Sequence, residues 1–244
     1  KGEHKKTKCE SCHPDRKFTE AKTTCASEGC HADDDAHKGR LGKKCEQCHL
    51  RHGLVAKLIL KKSGSELCYA CHEKEKAGMN KPSVHTAVKG GKCTDCHNPH
   101  ASQASHLLQA EGKDVCYQCH QKRNYEKKTV HAVLKTQGCG ACHLSHSADQ
   151  KNLLIKAPTP LCLSCHDSAK SGFKSAHGNY AVQTKSCTTC HNPHSSDQPK
   201  LMKASAHSPV VSASCDMCHN APNTDKAFGV KEGSIGKICI QCHD

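Results

Sequence analysis

The sequence predicts a fold that is mostly coil with short helices and little or no sheet, organised around bound groups in place of an ordinary core. Three observations predict it. Apolar material is scarce: hydrophobic residues are 35% with 22 cysteines counted among them, aromatics are 3%, and tryptophan is absent. A polypeptide of that composition buries too little surface to fold by itself. The cysteines recur in one motif, Cys-x-x-Cys-His, beginning at Cys9, Cys45, Cys68, Cys93, Cys116, Cys139, Cys162, Cys187, Cys215 and Cys239, with a long-spaced variant, CASEGCH, from Cys25 to His31. The motifs themselves recur. Those at Cys45, Cys93, Cys139 and Cys187 lie 48, 46 and 48 residues apart, and a further motif follows each by 23, 23, 23 and 28 residues. A fixed period with two motifs per unit is the mark of an array whose units bury their contents only when stacked.

Cys-x-x-Cys-His is the attachment signature of a c-type haem. Two cysteines three apart share one face of a helical turn, so both sulfurs reach the vinyl groups of one porphyrin. The histidine after them comes up under the iron as proximal ligand. Eleven motifs use every cysteine in the chain: Cys9 and Cys12, Cys25 and Cys30, Cys45 and Cys48, Cys68 and Cys71, Cys93 and Cys96, Cys116 and Cys119, Cys139 and Cys142, Cys162 and Cys165, Cys187 and Cys190, Cys215 and Cys218, Cys239 and Cys242. Zinc sites also use Cys-x-x-Cys pairs, but zinc chemistry does not demand a histidine after every second cysteine. A disulfide framework has no use for the histidines at all. The cofactors predicted are eleven covalently attached haems c, and the fold class is that of a multihaem cytochrome c wrapped around a continuous haem chain.

Eleven histidines are proximal: His13, His31, His49, His72, His97, His120, His143, His166, His191, His219 and His243. Eleven others remain as candidate sixth ligands: His4, His37, His52, His85, His100, His106, His131, His146, His177, His194 and His207. One spare histidine per iron predicts bis-histidine ligation throughout. The spare set also keeps register. His52, His100, His146 and His194 each lie three after a proximal histidine; His37, His85, His131 and His207 lie eight before a motif, and His177 ten before. His4 and His106 fit neither class. The spacing predicts that the upstream histidines ligate the haem of the next motif, and that the histidines three after a motif serve the second haem of their own unit. Met79, Met202 and Met217 are too few to be general ligands and are read as packing residues.

The formal net charge of +13 omits the cofactors. Each haem brings two propionates and each ferric iron returns one positive charge, so the lysines balance propionates. A polyanion-binding surface, and with it a nucleic-acid partner, is not what this charge implies. The acidic run Asp33–Asp35 reads as a solvated loop. The longest apolar stretch, LVAKLIL from Leu54 to Leu60, is interrupted by a lysine and far too short to span a membrane. No secretory leader is present. Because bacteria attach haem c outside the cytoplasm, Lys1 is read as lying near a processed N-terminus. The location expected is the cell envelope of a bacterium or archaeon, periplasmic or extracellular.

In chain order, residues 1–44 form an N-terminal dihaem module ending in the linker AHKGRLGKK. Four dihaem repeats follow at 45–92, 93–138, 139–186 and 187–220, and 221–244 is a C-terminal loop with one haem, the whole read as one continuous unit. Within the repeats the first motif leads into HLRH, HNPH, HLSH or HNPH. A leucine-rich segment comes next: LVAKLILKK, SHLLQAEG, KNLLIKAP or PKLMKASA. These segments are short helix candidates that would lay aliphatic side chains on porphyrin faces. Pro and Gly end them.

The paired motif, with NPH after the first haem histidine and a leucine pair before the second motif, resembles the doubled Cys-x-x-Cys-His family. That family includes periplasmic decahaem subunits of porin–cytochrome conduits and the pentahaem donor to nitrite reductase. The likeness covers roughly residues 37–220 and is strongest at Cys93–His120 and Cys187–His194. It implies an electron-transfer protein with closely spaced bis-histidine haems and little secondary structure. The upstream histidines and the long-spaced motif also resemble small tetrahaem cytochromes of sulfate reducers, where the upstream histidine ligates the haem that follows. Departures are the eleventh haem, the compact spacing and the missing Pro-His of the first and third units.

Electron conduction is the function these features predict, by an electron carrier and not an enzyme, for periplasmic or extracellular respiratory electron transfer. Its partners would be other redox proteins or acceptors such as minerals. The placement is either a periplasmic or porin-linked carrier, or a filament subunit in which a terminal histidine such as His4 ligates a haem of the next copy head to tail. The alternative from another class is a multihaem reductase, which needs one iron with an open coordination position. No motif here ends in Cys-Lys, the substitution that often marks such an iron.

Overall fold

The structure, a computed structural model, describes residues 7–19, 37–42, 44–50, 60–75, 78–231 and 235–243. His4, the long-spaced motif Cys25–His31, His52 and most of LVAKLIL lie outside the described residues. The chain forms two compact units. The first is Lys1–Cys119 with Ser145–Ser147, and the second is His120–Leu144 with Ala148–Asp244.

The architecture is short helices, two-residue strands and coil. Four described α-helices carry the first cysteine of a motif near their C-terminal end: Ser65–Tyr69, Asp114–Tyr117, Pro158–Leu163 and Ile235–Cys239. Six other motifs open on three-residue 3-10 turns: Cys9–Ser11, Cys45–Gln47, Cys93–Asp95, Cys139–Ala141, Cys187–Thr189 and Cys215–Met217. Two sorts of motif are therefore built into the backbone, one on a helix and one on a turn. The remaining helices are as short, at four to six residues, which is well below the length at which a helix is stable in water without tertiary support.

Four of the turn motifs share one hairpin-like closure. In these, the residue after the proximal histidine donates its N–H to a carbonyl ten residues beyond that histidine: Asn98 to Leu107, Leu144 to Leu153, Asn192 to Leu201 and Asn220 to Gly229, at 2.7 to 3.0 Å. A second bond returns to the residue before the histidine, from Gln109 to Cys96, Ile155 to Cys142, Lys203 to Cys190 and Lys231 to Cys218. Lys61 closes onto Cys48 in the same way at 2.8 Å. The described leucine-rich segments, those after the motifs at Cys93, Cys139 and Cys187, are therefore not helices, as their composition predicts, but a 3-10 turn followed by an extended residue bridged to the proximal histidine. His97 bridges Leu108, His143 bridges Leu154 and His191 bridges Met202. The physical reason is backbone conformation. His106 and Leu107, Asn152 and Leu153, and Lys200 and Leu201 all have φ between 53° and 59°. That left-handed region costs a non-glycine residue about 1–2 kcal/mol and stops a right-handed helix.

In the first unit Ser83–Val84 is a strand that leads into His85, whose N–H donates to the His146 carbonyl at 2.9 Å. In the second unit the strand Thr129–Val130 pairs antiparallel with Ser195–Ser196, in register Thr129 with Ser196 and Val130 with Ser195. There His131 donates its N–H to the His194 carbonyl, also at 2.9 Å. The apolar core among the described residues is small. It comprises Ala104, Leu134, Ala148, Tyr180, Met202 and Ala227, half of them alanine. No helix among the described residues is long and apolar enough to cross a membrane.

Candidate haem-binding sites

Each described motif coils back on itself. The N–H of the motif histidine reaches the carbonyl of the first cysteine at 2.8 to 3.0 Å in His49, His72, His97, His143, His166, His191, His219 and His243. This turn sets the two cysteines on one side, as thioether attachment to one porphyrin requires. No disulfide joins cysteines among the described residues.

Four of the turn motifs hold their imidazoles in a defined tautomer. Nδ1 of His97 faces the carbonyl of His106 at 2.9 Å, and Nδ1 of His143 faces that of Asn152 at 2.9 Å. His191 does the same with Lys200 and His219 with Phe228, both at 3.0 Å. A carbonyl oxygen only accepts, so Nδ1 carries the proton and Nε2 presents a lone pair, the form that binds iron. The left-handed residues supply these carbonyls at His106, Asn152 and Lys200, which accounts for their strain.

The imidazoles meet in pairs. In the first unit His37 stands against His72 with ring centroids 6.1 Å apart, His49 against His100 at 6.0 Å and His97 against His146 at 6.1 Å. In the second unit His131 stands against His166 at 6.0 Å, His143 against His194 at 5.9 Å, His177 against His191 at 6.1 Å and His207 against His243 at 5.7 Å. A metal–imidazole bond is about 2.0 Å, so two imidazoles trans across one metal have nitrogens about 4 Å and ring centroids about 6 Å apart. Every one of these pairs joins one motif histidine to one spare histidine. That is the geometry an iron porphyrin between them needs, and the residues fit the group.

Electrostatics point the same way. Burial first, then His143 and His131, hold His194 below the usual histidine range. His191 is lowered by burial, against the raising effect of its Lys200 hydrogen bond, with His177 and His166 adding to the lowering. The neutral ring so favoured is the form that ligates iron. Apolar side chains also stand exposed around the motifs, among them Leu144 and Ile155 by Cys139–His143 and Ile235 and Ile240 by Cys239–His243. They suit the faces and edges of a porphyrin.

The pairing departs from the one that spacing predicts. Upstream histidines do not take the next motif: His37 faces His72, His131 faces His166 and His207 faces His243, each the helix-borne second motif. His85 and His120 have the same separation in sequence as His37 and His72. The histidines three after a motif reach back one unit, so His100 faces His49, His146 faces His97 and His194 faces His143. The reason is the backbone. His131 and His207 sit at the N-cap of a short helix, and His131 is further held by its N–H on His194 and its Nδ1 on the Pro193 carbonyl at 3.1 Å. His177 instead follows the helix Ser171–Ala176, with Nδ1 on the Phe173 carbonyl at 2.8 Å, and it alone faces its own motif at His191. The position corresponding to His100 and His194 in the next turn motif is Pro222, so no histidine there can serve His191. His106 is exposed, and its part in the site is its backbone carbonyl.

Asparagine explains the NPH sequence. Asn98 Oδ1 accepts the N–H of His100 at 3.0 Å, and Asn192 Oδ1 accepts those of His194 at 3.0 Å and Ser195 at 3.4 Å. The expected effect of Asn192→Ala is a loss of about 1–2 kcal/mol in the haem-loaded protein, read as a lowered chemical-denaturation midpoint.

Successive motifs are brought together through their thiols. Cys68 is raised by burial and then by Cys93, to which it hydrogen-bonds, with Cys48 also near. Burial first, then Cys187, push Cys162 up to about 11; these two thiols also hydrogen-bond, and Cys142 adds a smaller effect. After burial, Cys142 is raised by Cys165. Within each unit the attachment points thus follow one another in chain order.

The doubled CXXCH motif family matches the chain at residues 37–77, 85–124, 131–171, 177–206 and 207–244. A search of curated proteins finds no match. With five family segments over most of its length, and with cysteines and paired imidazoles placed as haem c requires, the chain belongs to the doubled CXXCH motif family and is a multihaem c-type cytochrome.

Proposed function

We propose that the protein conducts electrons along eleven closely spaced haems c, outside the cytoplasm. The observation that carries the reading is the set of seven imidazole pairs at 5.7 to 6.1 Å. Bis-histidine irons change oxidation state with little rearrangement and lack the methionine ligand that raises the potential in mitochondrial-type cytochromes c. The contiguity of Cys68 with Cys93, and of Cys162 with Cys187, supports a path that follows chain order within each unit.

The dihaem groupings follow the turns. The family segments 177–206 and 207–244 support a grouping in which Cys215 on its 3-10 turn and Cys239 on its helix make one pair and Cys187 stands alone, instead of the dihaem repeat 187–220 that spacing predicts. Partners would be other redox proteins or an extracellular acceptor such as a mineral, with the protein serving as a periplasmic or porin-linked carrier or as a filament subunit. The test is a haem count and a redox titration together. Pyridine haemochrome and intact mass should give eleven haems per chain, and spectroelectrochemistry should give a broad, multi-step reduction at low potential. Fewer than eleven haems corrects the count; a single narrow wave contradicts a graded chain of carriers.

A further inference from the structure

We infer that Tyr125 is a positioning residue that lowers the potential of the haem on Cys116 and Cys119 through His120, while its ring fixes the plane of His194, a ligand of the Cys139 haem. This rests on the multihaem reading above and deepens it, since one side chain touches the axial ligands of two carriers. Two contacts carry it, both within the second unit. The Tyr125 hydroxyl lies 3.5 Å from Nδ1 of His120, with the rings edge to face at 85° and their centroids 6.1 Å apart. On its other side the Tyr125 ring stands against His194 at 5.0 Å and 70°. That edge-to-face arrangement is the one aromatic rings prefer, and it opposes rotation of the imidazole.

The backbone puts Tyr125 there. Lys122–Asn124 is a 3-10 turn, which Tyr125 closes with its N–H on the Lys122 carbonyl at 2.9 Å. Lys122 and Glu126 pair across the turn at 3.4 Å. The chain then enters the strand Thr129–Val130, whose partner Ser195–Ser196 directly follows His194. Strand pairing therefore brings the turn alongside His194, and the Lys128 N–H extends the contact to Asp197 Oδ1 at 3.4 Å.

The chemistry gives the effect a sign. With iron on Nε2, Nδ1 of His120 keeps its proton and donates, and the Tyr125 oxygen accepts. An acceptor at Nδ1 makes the imidazole a more basic ligand, which favours ferric over ferrous iron and lowers the potential. In four turn motifs that acceptor is a backbone carbonyl, which a change of side chain does not remove. Tyr125 offers His120 a side-chain oxygen instead, so the potential of this haem answers to a single substitution. The corresponding places five residues after His72 and His166 are Ala77 and Ser171, which carry no ring. The arrangement thus marks the Cys116 haem out from those two helix-borne haems.

The test uses the haem-loaded chain. Tyr125→Phe removes the oxygen and keeps the ring, and Tyr125→Leu removes both. Spectroelectrochemistry of Tyr125→Phe should show one component moved upward, and magnetic resonance of the oxidised protein should show one low-spin signal changed. In Tyr125→Leu a second low-spin signal should change too, as the His194 ring is freed to turn. Combining Tyr125→Phe with His194→Met assigns the shift. The component that methionine raises should stay where it lies in His194→Met alone, while a different component moves upward. Wild-type potentials and signals in a fully loaded Tyr125→Phe protein overturn the inference, as does a shift confined to the methionine-marked component or a shift downward. Loss of haem from both Tyr125 variants overturns it as well, because it assigns Tyr125 a merely structural role. Failure of the multihaem reading itself would look different, as an absence of haem from the unsubstituted chain in the pyridine haemochrome assay.

Discussion

A chain produced in a host lacking the haem-attachment machinery will be unfolded. The buried apolar side chains among the described residues are Ala104, Leu134, Ala148, Tyr180, Met202 and Ala227. Fully burying a large apolar side chain contributes about 1.5–3 kcal/mol, whereas ordering the backbone costs about 1–2 kcal/mol for every residue fixed. So few side chains cannot order two units of this size. Strands of two residues and helices of four to six add no independent stability. The difference is supplied by porphyrins packed among the segments of each unit and by iron–imidazole bonds that tie those segments together, as a structural metal does. Circular dichroism of the haem-free chain should show coil, heating should give no cooperative transition, and limited proteolysis should cut throughout. A cooperative melt of the haem-free chain would contradict this.

His194→Met will shift one haem by a sizeable part of the roughly 0.8 V range that axial ligands span. His194 stands against His143 at 5.9 Å, so the haem affected is the one on Cys139 and Cys142. Methionine–histidine ligation raises the potential relative to bis-histidine. The expected redox titration has one component moved upward out of the low-potential envelope, with the others nearly in place. The expected spectrum of the oxidised variant gains the weak near-infrared band of a sulfur–iron bond. If His194 instead served the other motif of its own neighbourhood, as spacing alone suggests, the same substitution would move the Cys215 haem. His131→Ala and His194→Ala would then not separate into effects on Cys162 and Cys139, respectively.

The general fold was legible in the sequence because composition limits it. A chain with so little aliphatic material and a haem motif roughly every 22 residues has no room for sheets or long helices. The residue types of the sites were legible for the same reason, since nothing but haem c uses Cys-x-x-Cys-His in this number. The pairings were not. Spacing measures distance along the chain, and the ligand swap is set by hydrogen bonds between segments far apart in sequence: His131 to Pro193 and His194, His85 to His146. The leucine segments after Cys93, Cys139 and Cys187 read as helices in sequence because their pattern carries no sign of the paired left-handed residues that follow Ser105, Lys151 and Pro199. A clue did exist. The residue nine after the proximal histidine is unlike from motif to motif, being His106, Asn152, Lys200 and Phe228, while the closure around it is constant, which is how a backbone acceptor looks in sequence.

The central claim is that the haems of the turn motifs at Cys45, Cys93 and Cys139 each share their iron with the histidine three after the next turn motif's proximal histidine, so that successive motifs are tied by their axial ligands. The most direct test is an experimental structure of the haem-loaded protein at a resolution that shows axial ligands. The account predicts His100 on the iron of the Cys45 haem, His146 on that of Cys93 and His194 on that of Cys139. Finding His100 on the iron of the Cys93 or Cys116 haem would contradict it.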